Sequence, residues 1–348
     1  MESLQNKNPK NYNRLCFEPM PNSPTKLRII EIDLIDACNL KCPMCLRQEF
    51  KDRPKLLDKD YETHYENLLD FFRNIKIGIG LVKLVGSLSE PTLYPKLLKL
   101  ITFLNNIGTP VQISTNGNKR DDDFWINLSR IMSYNEHNEL IFAIEGYKEN
   151  YKTYRIGGNF DIVDYNIRLM KDIKCKIGWQ YIKFQHNKDD FQQIEEHFKG
   201  TFDFVDIYHC NEPISFDQSI LPTQDIIKKF YEKRVNLNKA LQYVKQFNMA
   251  SIKCKSEYNG ELFIDVNGYL WPCTNLFEYN YQMGLIPNEI LSINDIDNPE
   301  SPLGQIKLND YIKRIYSMRS RTFECFKSCS NYGHKLEQPF LKQRLFHK

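Results

Sequence analysis

Three cysteines, Cys38, Cys42 and Cys45, are spaced as C-x3-C-x2-C in the run Asp36-Ala-Cys-Asn-Leu-Lys-Cys-Pro-Met-Cys45. Offsets of four and three would fit one helix face, but Pro43 inside the run and Asn39 near its start favour a loop wrapped around something. Structural zinc normally takes four ligands, and no fourth Cys or His is close by in sequence. A cubane [4Fe–4S] cluster offers four irons, so three thiolates leave one iron open to a substrate or cofactor. A zinc knuckle completed by a distant residue is the plainer alternative.

The elements that must position this loop follow from the pattern along the chain. Strand-like apolar runs at Arg28–Ile35, Leu81–Gly86, Pro110–Ser114, Glu139–Glu145, Ile177–Phe184 and Phe204–His209 alternate with amphipathic segments. The helices are predicted at Asp58–Asn74, Tyr94–Asn106, Asp121–Tyr134, Phe160–Asp172 and Asp189–Lys199, several opening on acidic residues or proline. Nearly continuous apolar strands between helices predict α/β architecture with a parallel sheet, an open sheet or partial barrel. Chemistry is then expected at the C-terminal ends of the strands. The cysteine loop follows the first strand directly, at that rim.

The chain divides into an extension (1–27), the partial barrel (28–212), a linker with a Lys-rich helix (213–250) and a smaller domain (251–348). In the last, Glu261–Val266 and Tyr269–Trp271 flank Asn267-Gly268, a hairpin pattern. Of 348 residues 41% are hydrophobic and 26% charged, an ordinary globular balance with enough apolar material for a large core. A net charge of +3 provides no broad basic field, so neither nucleic acid nor an anionic membrane is expected as partner. The most apolar stretch, Ile75–Gly86, is interrupted by Lys76 and Lys83 and is too short to span a bilayer. The N-terminus lacks an apolar signal core, so a cytoplasmic location is expected, where cysteines serve metal or catalysis before disulfides.

The cysteine loop after a first strand resembles the signature of the radical S-adenosylmethionine (radical SAM) superfamily. Met44 stands where that family prefers an aromatic. Gly86-Ser-Leu-Ser-Glu90-Pro91, at the end of the second strand, resembles the family's GEP segment, with Ser89 in place of a glycine. Ile113-Ser114-Thr115-Asn116-Gly117, at the end of the third, resembles the segment that contacts SAM ribose and carboxylate. Three such segments in order carry the resemblance. It implies a [4Fe–4S] cluster on Cys38, Cys42 and Cys45, and SAM held by Met44, Gly86, Ser89, Glu90, Pro91, Ser114 and Asn116. It implies reductive cleavage of SAM to a 5′-deoxyadenosyl radical that abstracts a substrate hydrogen.

Phe142-Ala-Ile-Glu145-Gly146 resembles the SIDG segment of the SPASM/twitch branch, with Glu145 for Asp; Tyr154-Arg155 and Trp179-Gln180-Tyr181 echo it too. Cys254, Gly268-x4-Cys273 and Cys325-x3-Cys329 resemble a single-cluster, twitch-type auxiliary domain. Four thiolates close every position of one cubane, which suits passing electrons; a four-cysteine zinc site is the alternative. Cys16, Cys175 and Cys210 are then spare.

Acid–base candidates near the strand ends are Glu145, Lys183 and Tyr181, with Gln180, Asp206 and Tyr208 behind them. Arg155 reads as an anion holder or, more commonly, a surface arginine. The reading is a cytoplasmic radical SAM dehydrogenase with two [4Fe–4S] clusters, a flavodoxin- or ferredoxin-type reductant and a small polar substrate such as a sugar or aminocyclitol. The short segment before the first strand is too small for a peptide-binding winged helix. A peptide maturase, a redox-neutral epimerase using a spare cysteine, and a non-catalytic electron-transfer protein are the alternatives.

Overall fold

A computed structural model describes residues 27–43, 45–49, 60–75 and 79–209, and beyond these 256, 259–274, 277, 290–295, 308, 310–311 and 343–346. Of the residues singled out above, Met44, Cys16, Cys210, Cys254, Cys325 and Cys329 lie outside the described residues.

Six strands, β1 (Ile29–Ile32), β2 (Leu81–Leu84), β3 (Val111–Thr115), β4 (Glu139–Ala143), β5 (Lys176–Lys183) and β6 (Phe204–His209), run parallel in sequential order. The helices among them are α1 (Leu46–Glu49), α2 (Tyr61–Asn74), α3 (Leu97–Asn106), α4 (Asp122–Met132), α5 (Tyr151–Tyr154), α6 (Phe160–Leu169) and α7 (Asp190–His197). Sequential order with right-handed crossovers puts every helix on the same face, the partial-barrel arrangement rather than the doubly wound one. The expected α/β architecture is present.

Local signals set the helix starts. Asp60 caps α2 by accepting from the Glu62 and Thr63 amides, Asp121 caps α4 through the Phe124 amide, and Asn159 caps α6 through the Asp161 amide. Apolar residues then recur at helical spacing, as in Leu97, Leu100, Ile101 and Leu104 of α3, and bury against the sheet. On the sheet side Ile30, Ile32, Val82, Leu84, Val111 and Ile113 are fully buried in the same core. Each such side chain contributes about 1.5–3 kcal/mol when removed from water.

Strand alternation sends the intervening residues to the other, inner face. These are Glu31 and Asp33, Lys83, Gln112 and Ser114, Ile141 and Ala143, Gly178, Gln180 and Ile182, and Phe204 and Asp206. Gly178 is a glycine because the Phe204 ring lies 2.3 Å from where a Cβ would stand.

The hairpin expected around Gly268 is present as β7 (Glu261–Ile264) and β8 (Leu270–Trp271), with Gly268 at φ +81° in its turn. It extends the barrel sheet: β7 pairs parallel with β1, Glu31 opposite Phe263. At the opposite edge β9 (Gln343–Phe346) pairs antiparallel with β6, a strand too short for its sequence pattern to announce. The nine-stranded order is β8-β7-β1-β2-β3-β4-β5-β6-β9. Among the described residues no helix is long and apolar enough to cross a membrane.

Candidate active site

The loops leaving β1, β2 and β3 meet at one buried residue, Glu90. Glu90 Oε1 accepts from the Thr92 amide (3.1 Å), the Thr92 hydroxyl (2.7 Å) and the Thr115 hydroxyl (2.6 Å), and Oε2 accepts from the Asn116 amide (2.8 Å). The Glu90 amide in turn donates to the Ala37 carbonyl at 2.9 Å, one residue before Cys38. Asn116 completes the circuit, with Nδ2 3.1 Å from Asn39 Oδ1 and 3.9 Å from Cys38 Sγ. Segments far apart in sequence are thus bolted together, those after β2 and β3 by neutral donors on one acid and the cysteine loop by the Glu90 amide and Asn116.

The cysteine loop is braced from within and from outside as well. Lys41 N donates to the Ile156 carbonyl (2.9 Å), Cys45 N to the Cys42 carbonyl (3.1 Å), and Arg47 Nη1 to the Leu88 carbonyl (2.8 Å). Cys42 is buried, Cys38 and Cys45 are half-buried, and all three pack beside Leu40, Tyr154 and Phe184. Burial pushes the Cys42 thiol up to about 11 and raises Cys38 as well; Arg155 opposes the shift at Cys42, and the Leu40 amide opposes it at Cys38.

The donor set fits an iron–sulfur cluster. Such thiols ionise when a cationic metal centre offsets the burial, and donors already face the sulfurs. The Leu40 amide is 3.5 Å from Cys38 Sγ and Arg155 Nη1 is 3.7 Å from Cys42 Sγ. Among the described residues no three His, Cys, Asp or Glu side chains are grouped as for a single metal ion. A cubane takes each thiolate on a different iron and asks for wider separation than one ion does.

The segment expected to hold SAM has the features of a ligand cradle. Gly86 sits at φ +62°, with the Ser89 carbonyl oxygen 2.5 Å from where its Cβ would be, so only glycine makes this turn. The buried Ser89 Oγ has no hydrogen-bond partner, a group that a bound ligand would satisfy. Pro91 opens a 3-10 turn over Pro91–Leu93. Ser114 is half-buried on the inner face of β3. Three of the four bonds to Glu90 fall on Oε1, so its carboxylate chiefly ties the loops, and the Ser89 hydroxyl is left to meet a ligand.

The acid–base candidates part company. Glu145, just beyond β4, is fully buried and engaged by Arg155 through Nε and, at 2.5 Å, through Nη2. It is an ion-pair partner, not a free acid or base. Tyr181 faces the helices, where it packs against Trp179 and Phe191 and donates its hydroxyl to the Asn187 carbonyl. It is a core residue. Lys183 shares the strand parity of Tyr181, whereas Gln180 and Asp206 stand opposite one another on the inner face.

Asp33 and Arg155 are what the sequence undersold. Asp33 is 1% exposed; its Oδ1 accepts from the Ser87 amide at 2.7 Å while Oδ2 has no hydrogen-bond partner. Burial, with Glu31 and Asp265 nearby, pushes its carboxyl up to about 8 against the Ser87 and Leu88 amides. A charged residue inside an apolar strand run was its only signal. Glu31 beside it accepts from Thr274 Oγ1 at 3.0 Å, next to Cys273, the one described member of the second cysteine set. Arg155, weighed as a surface arginine, is half-buried against Glu145 and Cys42.

Residues 32–198 match the family model described as the radical SAM superfamily. The chain is 26% identical over 107 residues to the tungsten-containing aldehyde ferredoxin oxidoreductase cofactor-modifying protein of Pyrococcus furiosus, a stretch covering 30% of this chain and 28% of that protein. The match therefore spans less than a third of that relative's length. Among solved structures, Streptococcus suis SuiB bound to S-adenosylmethionine matches with a TM-score of 0.55 at 13% identity, covering 88% of this chain and 71% of that one. Native anSMEcpe with bound AdoMet matches with a TM-score of 0.51 at 17% identity, covering 89% and 95%. Identities this low speak to the fold.

Proposed function

Because residues 32–198 of this chain are a radical SAM domain, a family that implies a [4Fe–4S] cluster and SAM, we propose that it is a radical SAM oxidoreductase acting on a small polar substrate. Cys38, Cys42 and Cys45 would hold the cluster. Gly86, Ser89, Glu90, Pro91, Ser114 and Asn116, with Met44, would hold SAM. When bound and reduced by a flavodoxin- or ferredoxin-type donor, cluster and cofactor supply a 5′-deoxyadenosyl radical for hydrogen abstraction. Cys254, Cys273, Cys325 and Cys329 would carry a second, fully ligated [4Fe–4S] cluster that takes an electron from the substrate, making the net reaction an oxidation.

The observation that carries this reading is the Glu90 knot: its carboxylate accepts from Thr92 and Asn116, and its backbone amide donates to Ala37, the residue before Cys38. An electron-transfer protein needs the cysteines but not the two further loops. The inner face supports a polar substrate: Glu31, Asp33, Lys83, Gln112 and Gln180 would line it, and Asp33 Oδ2 is left without a partner. A ligand hydroxyl or ammonium is the chemistry that would satisfy that oxygen. Peptide modification is the second reading, because SuiB bound to precursor peptide SuiA has this fold with a TM-score of 0.54.

Anaerobic reconstitution with iron counting and an assay for 5′-deoxyadenosine test the proposal. Deoxyadenosine with about eight irons per chain, two cubanes' worth, is expected. About four irons with product would remove the auxiliary cluster and the oxidation built on it. Intact clusters without product, even when candidate sugars, aminocyclitols and peptides are supplied, would turn the assignment to electron transfer.

A further inference from the structure

Arg155 follows α5 directly, and its guanidinium is shared between two partners. Nε and Nη2 face the Glu145 carboxylate, and Nη1 points to Cys42 Sγ at 3.7 Å. The Arg155 side chain is 13% exposed and that of Glu145 is 0% exposed. Such a pair is an uneconomical way to hold two loops together. Apolar residues of similar volume commonly do as well or better, since both charges must be stripped of water. The cysteine loop has other braces that involve no buried charge, at Lys41 N, Cys45 N and Glu90 N. What the apolar alternative would lack is a fixed cation at contact with a ligand sulfur.

Hydrogen bonds and local charge at the sulfurs set the reduction potential of an iron–sulfur cluster. The two charges here are not equivalent in position. The guanidinium touches the sulfur, and the carboxylate is bound to its other edge, so Glu145 weakens the cation without replacing it at Cys42. We propose that the Glu145–Arg155 pair sets the potential of the cluster ligated by Cys42, Arg155 favouring the reduced form and Glu145 limiting how far. The couple concerned is one electron from the flavodoxin- or ferredoxin-type donor onto the cluster, with no bond made or broken and no proton moved by the pair. Both are positioning residues. The inference rests on the cluster assignment above.

The test is an EPR-monitored redox titration of the reconstituted protein, following the cluster signal that SAM addition alters. Arg155→Gln is expected to lower the midpoint and Glu145→Gln to raise it. Each shift should approach a tenfold change in the reduced-to-oxidised ratio at fixed poise, about 59 mV for a one-electron couple. Arg155→Lys, which keeps the charge and loses the fork, should lie between wild type and Arg155→Gln. Shifts of the same sign in both Gln variants, or no shift in either, would overturn the proposal. Should Arg155→Gln fail to take up iron, the rise in Glu145→Gln decides. Loss of the cluster in both, with native far-UV circular dichroism, would assign the pair to building the loop and also overturn it. A wild-type protein that assembles no [4Fe–4S] cluster would instead sink the functional reading itself.

Discussion

Glu90 and Glu145 are both buried at the rim of the same sheet, and they are satisfied in opposite ways. Glu90 is met by two amides and two hydroxyls and no cation. Glu145 is met by a guanidinium that also reaches a cysteine sulfur. Neutral donors on one acid give a rigid junction whose geometry is fixed by the backbone, and the acid keeps a negative charge that helps to raise the Cys38 thiol. A charge pair gives a directed field and is a poor glue. The rim therefore separates two tasks, tying the loops at β2 and β3 and setting the electrostatics at Cys42. Asp33 is a third case, bonded by the Ser87 amide at Oδ1 and without a hydrogen-bond partner at Oδ2.

The comparison breaks first at Arg155. Arg155→Leu leaves an uncompensated buried carboxylate and should cost about 3–5 kcal/mol, read by urea unfolding of the metal-free protein. Adding Glu145→Leu should return most of that loss; a double variant as unstable as the single one would mean the pair is glue after all. Glu90→Gln comes next. Its amide nitrogen must face a donor, at a cost of about 1–3 kcal/mol, and deoxyadenosine formation should fall with it. Full stability in that variant would show that the junction does not depend on the acid.

Asp33 sharpens the contrast through pH. Its folded carboxyl is raised from 3.8 to about 8, so the folded chain binds more protons than the unfolded chain across that interval. Stability from this group is complete below about pH 4 and is lost as pH rises toward 8, with a slope of at most about 1.4 kcal/mol per pH unit. Asp33→Asn should flatten that part of the stability profile, and an unchanged profile would refute the shift. Thr115→Val comes last. It removes one of four bonds to Glu90 and the bond from the Gly117 amide, and should cost about 1–3 kcal/mol, with the thermal midpoint as readout.

Much of the site could be read in the sequence because its parts are local. The C-x3-C-x2-C loop, the Gly86–Pro91 turn and Ser114–Asn116 each follow a strand, and parallel strands deliver their C-terminal ends to one rim. The acid–base candidates were not readable in this way, because a side chain's role depends on what faces it. Tyr181 and Gln180 are neighbours in sequence and lie on opposite faces of β5, the one in the core and the other inward. Glu145 looked like a free acid until Arg155 was placed against it. For Arg155 itself the chain offers only an arginine between tyrosine and glycine-containing segments, with nothing local to say that it turns inward to Glu145 and Cys42.

The sequence by itself determined the alternation of strands and helices, the capping of the helices and the spacing of the cysteine loop. All of these are set by periodicity and backbone preference within a few residues. Tertiary structure alone decided that β7 lies beside β1, that Thr274 reaches Glu31, and that Glu90 gathers Ala37, Thr92, Thr115 and Asn116. Only tertiary structure, too, brought Arg155 to Cys42 across 113 positions of chain. These contacts join groups far apart in sequence, and burial makes each polar atom find its partner wherever the folded chain supplies one.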